Sequence, residues 1–283
     1  MIKAAIAGGV SAPAVLPVLG TGRTFAARAN HRADMDPRFQ DAVNAGVAYF
    51  RSRCDDQLPL VDSLRKAIAS GDLESAKVAY IDARPPYEEI ETIAGSFEES
   101  DADIDARPYA FEGGETDPEF RGFHKIENLI FAEGDLEAAA PYADRLMRSV
   151  QRLRVELDEP ERFSPEGQFG GMVALSNEVA AKKVSSEEET WSDQSMLIFK
   201  HNWIGIYSQF KPFSKQLDDT TNGSVDNAYT SAMALVLPHF RKGSAAGTPY
   251  SQISIKERRA IADASNRLRD AIIVARDRIG ITG

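Results

Sequence analysis

The chain has 283 residues, and its 43 acidic side chains outnumber its 33 basic ones, which gives a formal net charge of −10. A chain this acidic, without a basic stripe, gains little from neutralising phosphates, so we expect no nucleic-acid partner. The single cysteine, Cys54, excludes an intramolecular disulfide, a cysteine-based zinc site and an iron–sulfur cluster. Hydrophobic residues make up 43% of the chain and charged residues 27%, as in an ordinary globular protein.

The first thirty residues have the pattern of a secretory signal peptide. A basic residue, Lys3, precedes a weakly apolar stretch over residues 4–20, and the small-x-small sequence at 27–29 offers a cleavage site. We therefore expect residues 1–29 to be a signal peptide and the mature protein to be periplasmic. The alternatives are a polar cytoplasmic N-terminus and a membrane anchor, although glycines and prolines interrupt the stretch. No other segment is apolar for long enough to span a bilayer, so we expect no membrane insertion after signal removal.

From Asp36 onward, apolar residues recur at helical spacing. The first clear stripe follows an N-cap at Asp72 and is interrupted at Pro85-Pro86, where we expect a kink or a restart of the helix. Five stripes predict helices, over residues 72–97, 142–157, 173–184, 203–210 and 261–279. Clusters rich in glycine, proline, asparagine and aspartate are predicted to be loops, at residues 112–118, 160–171, 218–226 and 242–249.

Strand-like alternation is almost absent, so the sequence predicts an all-α fold. Antiparallel helices joined by polar loops form bundles, and one four-helix bundle needs far fewer residues than this chain has. We therefore predict a bilobed protein made of two four-helix-bundle-like lobes. The helical domain is expected over residues 34–283, with an N-lobe over about 37–135 and a C-lobe over about 136–283.

Several acidic side chains occur in pairs that a helix would place on one face. Glu88 and Glu91 are three residues apart, and His124 and Glu127 have the same spacing. A carboxylate-rich turn at 101–105 lies between these pairs, and an acidic cluster follows at 187–189. Helical bundles hold metal ions with Glu and Glu-x-x-His pairs that project from facing helices, so these pairs predict a metal site.

The residue types restrict which ion such a site would hold. Carboxylate oxygens and an imidazole suit Fe(III), Mn(II) or Zn(II), and the lack of thiolates argues against Cu(I). Unpaired carboxylates in one site repel one another, so we expect metal binding to stabilise the fold. The alternative is surface ion pairing, for example of Glu88 or Glu91 with Arg84. His201 has no carboxylate at ligand spacing and is expected to be a core or boundary residue, and Cys54 is expected to be structural.

Taken in order, these motifs resemble the imelysin-like, EfeO-type periplasmic proteins of bacterial iron uptake. Residues 71–97 are similar to that family's "GDL…AK…Y…AR…YE.IE..A.SF" helix, and residues 103–107 are similar to its "D..IDAR" turn. Residues 122–127 match its "GFHRIE" signature, and residues 178–188 resemble its "EVA..KI.GEE" segment. The resemblance covers about residues 42–213, most of the expected mature chain.

The resemblance implies an all-α, bilobed fold with a metal-binding cleft near the His-x-x-Glu helix. Carried over position by position, the implied metal ligands are His124, Glu127, Glu88, Glu91, Asp105 and Glu187. Longer EfeO proteins carry an N-terminal cupredoxin domain, for which nothing fits before Ala42. We therefore expect the short, EfeM-like form, without copper-assisted oxidation of Fe(II).

The resemblance also implies what the protein does. We expect a periplasmic protein that is not an enzyme, binds iron as Fe(III) or Fe(II), and delivers it to a membrane permease, with zinc or copper as alternatives at the same site. The implied partners are the iron permease and the haem peroxidase of an Efe-type uptake system.

Two other functions stay open at this stage. An acidic, alginate-like polysaccharide could bind in the cleft between the lobes, with Trp191, Trp203 and Tyr207 stacking on the sugars. A metallopeptidase is the third hypothesis, but a His-x-x-Glu pair provides neither a second histidine nor a separate general base.

Overall fold

The structure, a computed structural model, describes residues 35–186 and 188–282. Throughout these residues the regular secondary structure is helical, apart from an isolated antiparallel bridge between Phe240 and Gly247, which confirms the predicted all-α class. No helix in this part of the chain is long and apolar enough to cross a membrane. The expected signal peptide lies outside the described residues.

The α-helices are, in chain order, α1 Gln40–Ser70, α2 Leu73–Ala83, α3 Pro85–Ile90, α4 Glu98–Asp105, α5 Phe123–Glu127, α6 Leu136–Glu156, α7 Pro165–Glu178, α8 Val184–Ser186, α9 Ser195–Phe210, α10 Asp219–Val236 and α11 Ile255–Arg278. Two π-helical turns, Asn128–Glu133 and Val179–Lys183, continue α5 and α7. A 3₁₀ turn, Glu91–Ser96, continues α3.

The predicted restart at the two prolines is confirmed. α2 begins after Asp72, whose side chain accepts a hydrogen bond from the Ser75 N–H at 3.1 Å. α3 begins at Pro85, a position where the missing N–H of proline costs nothing because the first turn of a helix leaves that group unpaired. The Tyr-Glu-Glu sequence that follows the prolines therefore lies within α3.

Two of the predicted loops are partly helical, and helix capping explains why. Residues 218–226 were predicted as a loop, but Asp218 accepts from the Thr221 N–H at 2.8 Å and caps α10, which starts one residue later. Ser164 caps α7 in the same way, within the predicted loop 160–171. Aspartate and serine favour helix starts as strongly as they favour turns, so composition alone does not distinguish the two.

The helices pack in two sets that meet at α3. α1 packs along α2 and α6, whereas α11 packs along α10 and α7, and α9 lies against α7 and α10. α3 contacts both α1 and α9, and these two helices also contact each other. α6, which the predicted boundary near residue 135 assigns to the second lobe, packs against α1 of the first. Because the buried apolar residues form one connected cluster, the division into two lobes stays a prediction.

Two glycines allow this close packing around α3. A Cβ atom on Gly205 of α9 would lie 2.2 Å from the carbonyl oxygen of Glu89, and one on Gly171 of α7 would lie 1.9 Å from that of Thr92. No Cβ atom is found at such distances, so only glycine fits at either position. α7 and α9 therefore hold the backbone that carries Glu88 and the residues after it.

Cys54 and Trp203 have packing roles. Cys54 is fully buried, its Sγ lies 3.6 Å from the Val150 carbonyl oxygen, and burial raises the pKa of its thiol to about 12. Trp203 is also fully buried, and its Nε1–H donates to the Ser265 hydroxyl at 3.1 Å. The expectation that Trp203 stacks on a bound sugar is therefore wrong, because its ring is not accessible.

Candidate metal site

Three of the predicted carboxylates meet where α3 and its 3₁₀ continuation approach the end of α4. Glu88 and Glu91 project from α3 and its 3₁₀ continuation toward Asp105, the last residue of α4. Each of the three offers an oxygen atom within 4.8 Å of the others. We call these residues the α3 group. The three-residue spacing places both glutamates on one face, as the sequence indicates.

A second group adjoins the first. His124 and Glu127 of α5, together with Glu189, offer ligand atoms within 4.8 Å of one another, and we call them the α5 group. The His124 Nε2 atom lies 3.4 Å from the Asp105 Oδ1 atom, which connects the two groups. The predicted ligand Glu187 lies outside the described residues. Glu189, two positions further along, was not predicted, although the acidic run that contains it was recognised.

Gly122 brings α5 against α4. Its φ is +82°, and a Cβ atom there would lie 2.4 Å from the carbonyl oxygen of Ile104. Both the backbone conformation and the close approach require glycine. α5 therefore starts directly beside the end of α4, which explains why His124 faces Asp105.

Glu127 links α5 to the segment that follows α8. One of its carboxylate oxygens lies 3.0 Å from the His124 Nδ1 atom. The other accepts from the backbone N–H groups of Trp191 and Ser192, at 2.9 and 2.8 Å. A carboxylate on Nδ1 leaves Nε2 as the imidazole atom that can bind a ligand. Nε2 is buried, and its near neighbour is the Asp105 carboxylate at 3.4 Å.

Arg84 lies between the two groups and is fully buried. Its guanidinium nitrogens lie 2.5 Å from a Glu88 oxygen, 2.7 Å from an Asp105 oxygen and 2.8 Å from a Glu189 oxygen. The Arg84–Glu88 pair considered from the sequence therefore exists, but it is a buried pair. The alternative of surface ion pairing is wrong for Glu88, since both side chains are inaccessible to solvent.

Two further buried cations contact the site, and sequence reasoning missed both. Arg107 pairs with the Glu188 carboxylate and donates to the Glu188 carbonyl oxygen at 3.0 Å. The Lys183 ammonium lies 2.8 Å from both carboxylate oxygens of Glu91 and 2.8 Å from a Glu188 oxygen. Lys183 and Glu188 are five residues apart in the sequence, which is not the three- or four-residue spacing of neighbours on one helix face.

Asn202 of α9 is a third residue that the sequence did not reveal. Its buried Nδ2 group lies 2.9 Å from the Glu88 carbonyl oxygen, 3.1 Å from a Glu88 carboxylate oxygen and 2.9 Å from a Glu91 carboxylate oxygen. The amide therefore holds the two glutamates of the α3 group side by side.

The charges of this site do not balance. Six carboxylates, those of the α3 group, Glu127, Glu188 and Glu189, face three permanent cations, Arg84, Arg107 and Lys183. Protons make up part of the difference in the metal-free protein. Burial raises the pKa of Glu91, and burial together with Glu127 raises that of Glu189 to about 7. A bound cation would replace these protons.

The pKa shifts of His124 and Asp105 favour the charged form of each group, unlike those of Glu91 and Glu189. Burial disfavours the imidazolium, but hydrogen bonds and charges from Asp105 and Glu127 outweigh burial and raise the pKa of His124 to about 9. Burial also disfavours the Asp105 carboxylate, yet Arg84 and His124 hold its pKa well below the usual value. A metal ion at Nε2 would take the place of a proton there.

Each group borders its own cavity. A cavity of about 360 Å³ is lined by Glu91 and Asp105 of the α3 group, and one of about 180 Å³ is lined by His124 of the α5 group. Arg107 and Tyr109 line both cavities. An ion of a few cubic ångströms could therefore approach either group from solvent.

Glu89 points away from the metal site. It accepts a hydrogen bond from the Tyr49 hydroxyl, and one of its oxygens lies 2.7 Å from the His201 Nδ1 atom. His201 therefore has a carboxylate partner, although none stands at ligand spacing in the sequence, and its 13% exposed side chain agrees with the expected core or boundary position. The two residues lie 112 positions apart, so no local pattern could have revealed the contact.

Comparisons with known proteins identify several similar chains. The iron uptake system component EfeM of Pseudomonas syringae pv. syringae is 29% identical over 236 residues, 82% of either chain. The iron uptake system component EfeO of Escherichia coli K12 is 32% identical over 201 residues, which cover 71% of this chain and 51% of that relative. The chain thus spans about half the length of that EfeO.

A solved structure and a family model extend the comparison. A crystal structure of a candidate iron-regulated protein A precursor from Parabacteroides distasonis matches with a TM-score of 0.63, over 86% of this chain and 96% of that one. At 14% identity this likeness shows a shared fold. The model of the imelysin family, also called peptidase M75, matches residues 36–274. Because that match covers most of the chain, the protein belongs to the imelysin family.

Proposed function

We propose that this protein takes part in iron uptake by binding an iron ion at the α3 and α5 groups and passing it to a membrane permease. The observation that carries the proposal is the buried His124 imidazole, whose Nδ1 atom is held by Glu127 and whose Nε2 atom faces Asp105 at 3.4 Å among a surplus of carboxylates. The names of the EfeM and EfeO relatives place those proteins in iron uptake systems. Iron is the cargo here, so the site must both bind it and release it.

The donor set fits iron. It consists of one imidazole nitrogen and carboxylate oxygens from Glu88, Glu91, Asp105 and Glu127, with Glu189 as an added oxygen donor and Glu187 still a predicted one. Hard oxygen donors suit Fe(III), and the mixed nitrogen and oxygen set also suits Fe(II), zinc or copper(II). The α3 and α5 groups adjoin, so a single ion near Asp105 and His124 could draw ligands from both.

We infer a binding role, not a catalytic one, although the family carries a peptidase name. A zinc peptidase needs a carboxylate that is free to activate water. Both oxygens of Glu127 are already engaged, one by His124 and the other by the N–H groups of Trp191 and Ser192. Glu127 is therefore suited to orienting the imidazole and closing the site.

The location and the other partners belong to the same proposal. A periplasmic location rests on the signal-like N-terminal sequence, and delivery to an iron permease, with a haem peroxidase in the same system, rests on the family resemblance. Binding of an acidic polysaccharide has less support, because Trp203 is buried and the site itself carries excess negative charge.

The metal site can be tested with a double substitution. We expect His124→Ala combined with Glu127→Gln to weaken iron binding by more than about 100-fold, because the variant loses the imidazole and one charge. Glutamine retains an oxygen that can accept from the Trp191 and Ser192 N–H groups, so the fold should survive. Calorimetric titration with Fe(II) under anaerobic conditions, and with ferric citrate, would measure the change.

A histidine outside the site provides the matched control. His239 lies 4.0 Å from Glu257 and contacts neither ligand group, so His239→Ala should bind iron like the wild type. Wild-type affinity in the double variant would contradict the assignment of the site.

A further inference from the structure

Lys183 occupies a position that a metal ion would suit. Its side chain is 1% exposed, and its ammonium contacts both oxygens of Glu91 and one of Glu188, each at 2.8 Å. Glu91 also belongs to the α3 group of possible metal ligands. A small positive charge held between carboxylate oxygens is what that group would offer to a divalent or trivalent cation.

The two arginines of the site are held differently. Arg84 is bound by carboxylates from three separate segments, and its guanidinium stacks on the Phe123 ring at 4.6 Å. Arg107 donates to the Glu188 backbone carbonyl oxygen. A metal ion bound to the carboxylates would leave this contact in place. Both are therefore fixed parts of the framework. An ammonium on a flexible four-carbon stem is the cation that can move most easily.

A cavity borders the carboxylate that Lys183 contacts. Glu91 lines this cavity of about 360 Å³, and Glu178 lines it too, whereas Lys183 itself does not. An ammonium displaced from Glu91 into this space would meet a second carboxylate there. The lysine also ends a π-helical turn, Val179–Lys183, a feature that is frequent at functional sites because it realigns side chains within a helix.

We propose that Lys183 is a built-in counter-ion of the α3 group, which an incoming metal ion must displace from Glu91. This inference rests on the proposed function. While the site is metal-free, the lysine neutralises carboxylates that would otherwise repel one another. When metal binds, the displaced ammonium competes with it for Glu91, which lowers the affinity of the site. The competition favours release of the metal ion to the next component.

If Lys183 is a counter-ion of the α3 group, removal of this buried side chain should tighten metal binding. We expect Lys183→Met to lower the dissociation constant for Fe(II), measured by anaerobic titration, by at least about tenfold relative to wild type, which corresponds to 1.4 kcal/mol. The metal-free variant should melt at a lower temperature than wild type, because Glu91 and Glu188 lose a buried partner. Lys183→Arg keeps the charge and should bind more weakly than Lys183→Met.

The neighbouring Lys182 is exposed and provides the control, so Lys182→Met should bind like the wild type. If Lys183→Met does not fold, Glu188→Gln with and without Lys183→Met carries the test. Glutamine removes one negative charge when the lysine charge is lost, and its amide oxygen can still accept from Arg107. The double variant should bind Fe(II) more tightly than Glu188→Gln alone.

The outcomes separate this inference from the proposed function. Iron binding by the wild type with equal or weaker binding by Lys183→Met, as a purely structural lysine would give, overturns the inference and leaves the function in place. No binding by either folded protein overturns both. Binding by Lys183→Met that exceeds that of wild type supports the counter-ion role, even when wild-type binding is too weak to measure.

Discussion

At the scale of single residues, the direction in which a charged side chain points decides its role. Glu88 and Glu89 are sequence neighbours on one short helix. Glu88 pairs with Arg84 inside the candidate metal site, whereas Glu89 turns to Tyr49 and His201 on the other side of the helix. Both are buried glutamates, yet only one can contribute to metal binding.

Asp101 permits a test of buried charge that does not involve a proposed ligand. Burial raises the pKa of its carboxyl group from an ordinary 3.8 to about 7, although the Tyr87 hydroxyl donates to it and favours ionisation. Between about pH 4 and 7 the folded protein therefore retains a proton that the unfolded chain has lost. The resulting stabilisation is present at low pH and is lost as the pH rises through this window.

We predict that Asp101→Asn becomes more stable relative to wild type as the pH rises from 4.5 to 7, by at most about 1.4 kcal/mol per pH unit. Urea unfolding of both proteins at several pH values measures this difference. Asp103→Asn is the control, because burial of Asp103 is outweighed by Arg121 and Arg152, which lower the pKa of that carboxyl group. The difference in unfolding free energy between Asp103→Asn and the wild type should change little above pH 4.5. A pH-independent difference for Asp101→Asn would contradict the prediction.

At the scale of secondary structure elements, the site depends on how tightly α3 and its 3₁₀ continuation are held. α9 contacts them at Gly205 and through Asn202, and α7 contacts them at Gly171. Two glutamates of the α3 group lie on this short stretch, so their positions follow from the packing of two distant helices. The local sequence determines which face they share, and the neighbouring helices determine where that face points.

We predict that Gly171→Ala destabilises the protein by about 1–3 kcal/mol, because the added methyl group would lie 1.9 Å from the Thr92 carbonyl oxygen and forces a backbone shift. The backbone shift at Thr92 should also weaken iron binding, because Glu91 directly precedes Thr92 in the chain. Chemical denaturation and metal titration measure the two effects.

The adjacent Gly170 is the matched control. A Cβ atom there has no neighbour within 4 Å, and the residue lies on the exposed side of α7. Gly170→Ala should therefore stabilise the helix by about 0.5–1 kcal/mol and leave iron binding unchanged. Equal effects of the two alanines would mean that the close approach at Gly171 does not constrain the site.

At the scale of the whole molecule, the candidate site connects segments that are far apart in sequence. α3, α4, α5, the π-helical turn after α7 and the segment after α8 all contribute charged residues to it, and Arg84 lies between α2 and α3. A metal ion that binds only when these segments are assembled must stabilise the whole fold, since the unfolded chain cannot present its ligands together. Excess negative charge at the junction works against assembly, and a bound cation would relieve it.

We predict that Fe(II) at about 100 times its dissociation constant stabilises the fold by about 2.7 kcal/mol. For a domain of this size that corresponds to a rise in melting temperature of roughly 5–10 °C. Thermal unfolding followed by circular dichroism, with and without EDTA, measures the shift. The His124→Ala, Glu127→Gln variant should show almost none, and a full shift in that variant would locate the stabilising ion elsewhere.

The sequence by itself determined the elements and the local pairs of this protein. Helical spacing of apolar residues predicted the all-α class, the N-cap at Asp72 and the restart at Pro85-Pro86. Three-residue spacing predicted that Glu88 and Glu91 share a face, as do His124 and Glu127. These features depend on interactions within one helical turn, which is why they can be predicted without knowledge of the fold.

Only the tertiary structure decided what surrounds those pairs. The burial of Arg84, the contact of Lys183 with Glu91 and the arrival of Asn202 depend on helices more than twenty residues apart in sequence. It also decided that the pair of Arg84 and Glu88 is buried and that Trp203 is inaccessible. Local periodicity carries no information about such distant contacts, because they follow from which helices pack together and from the close approaches that glycine allows.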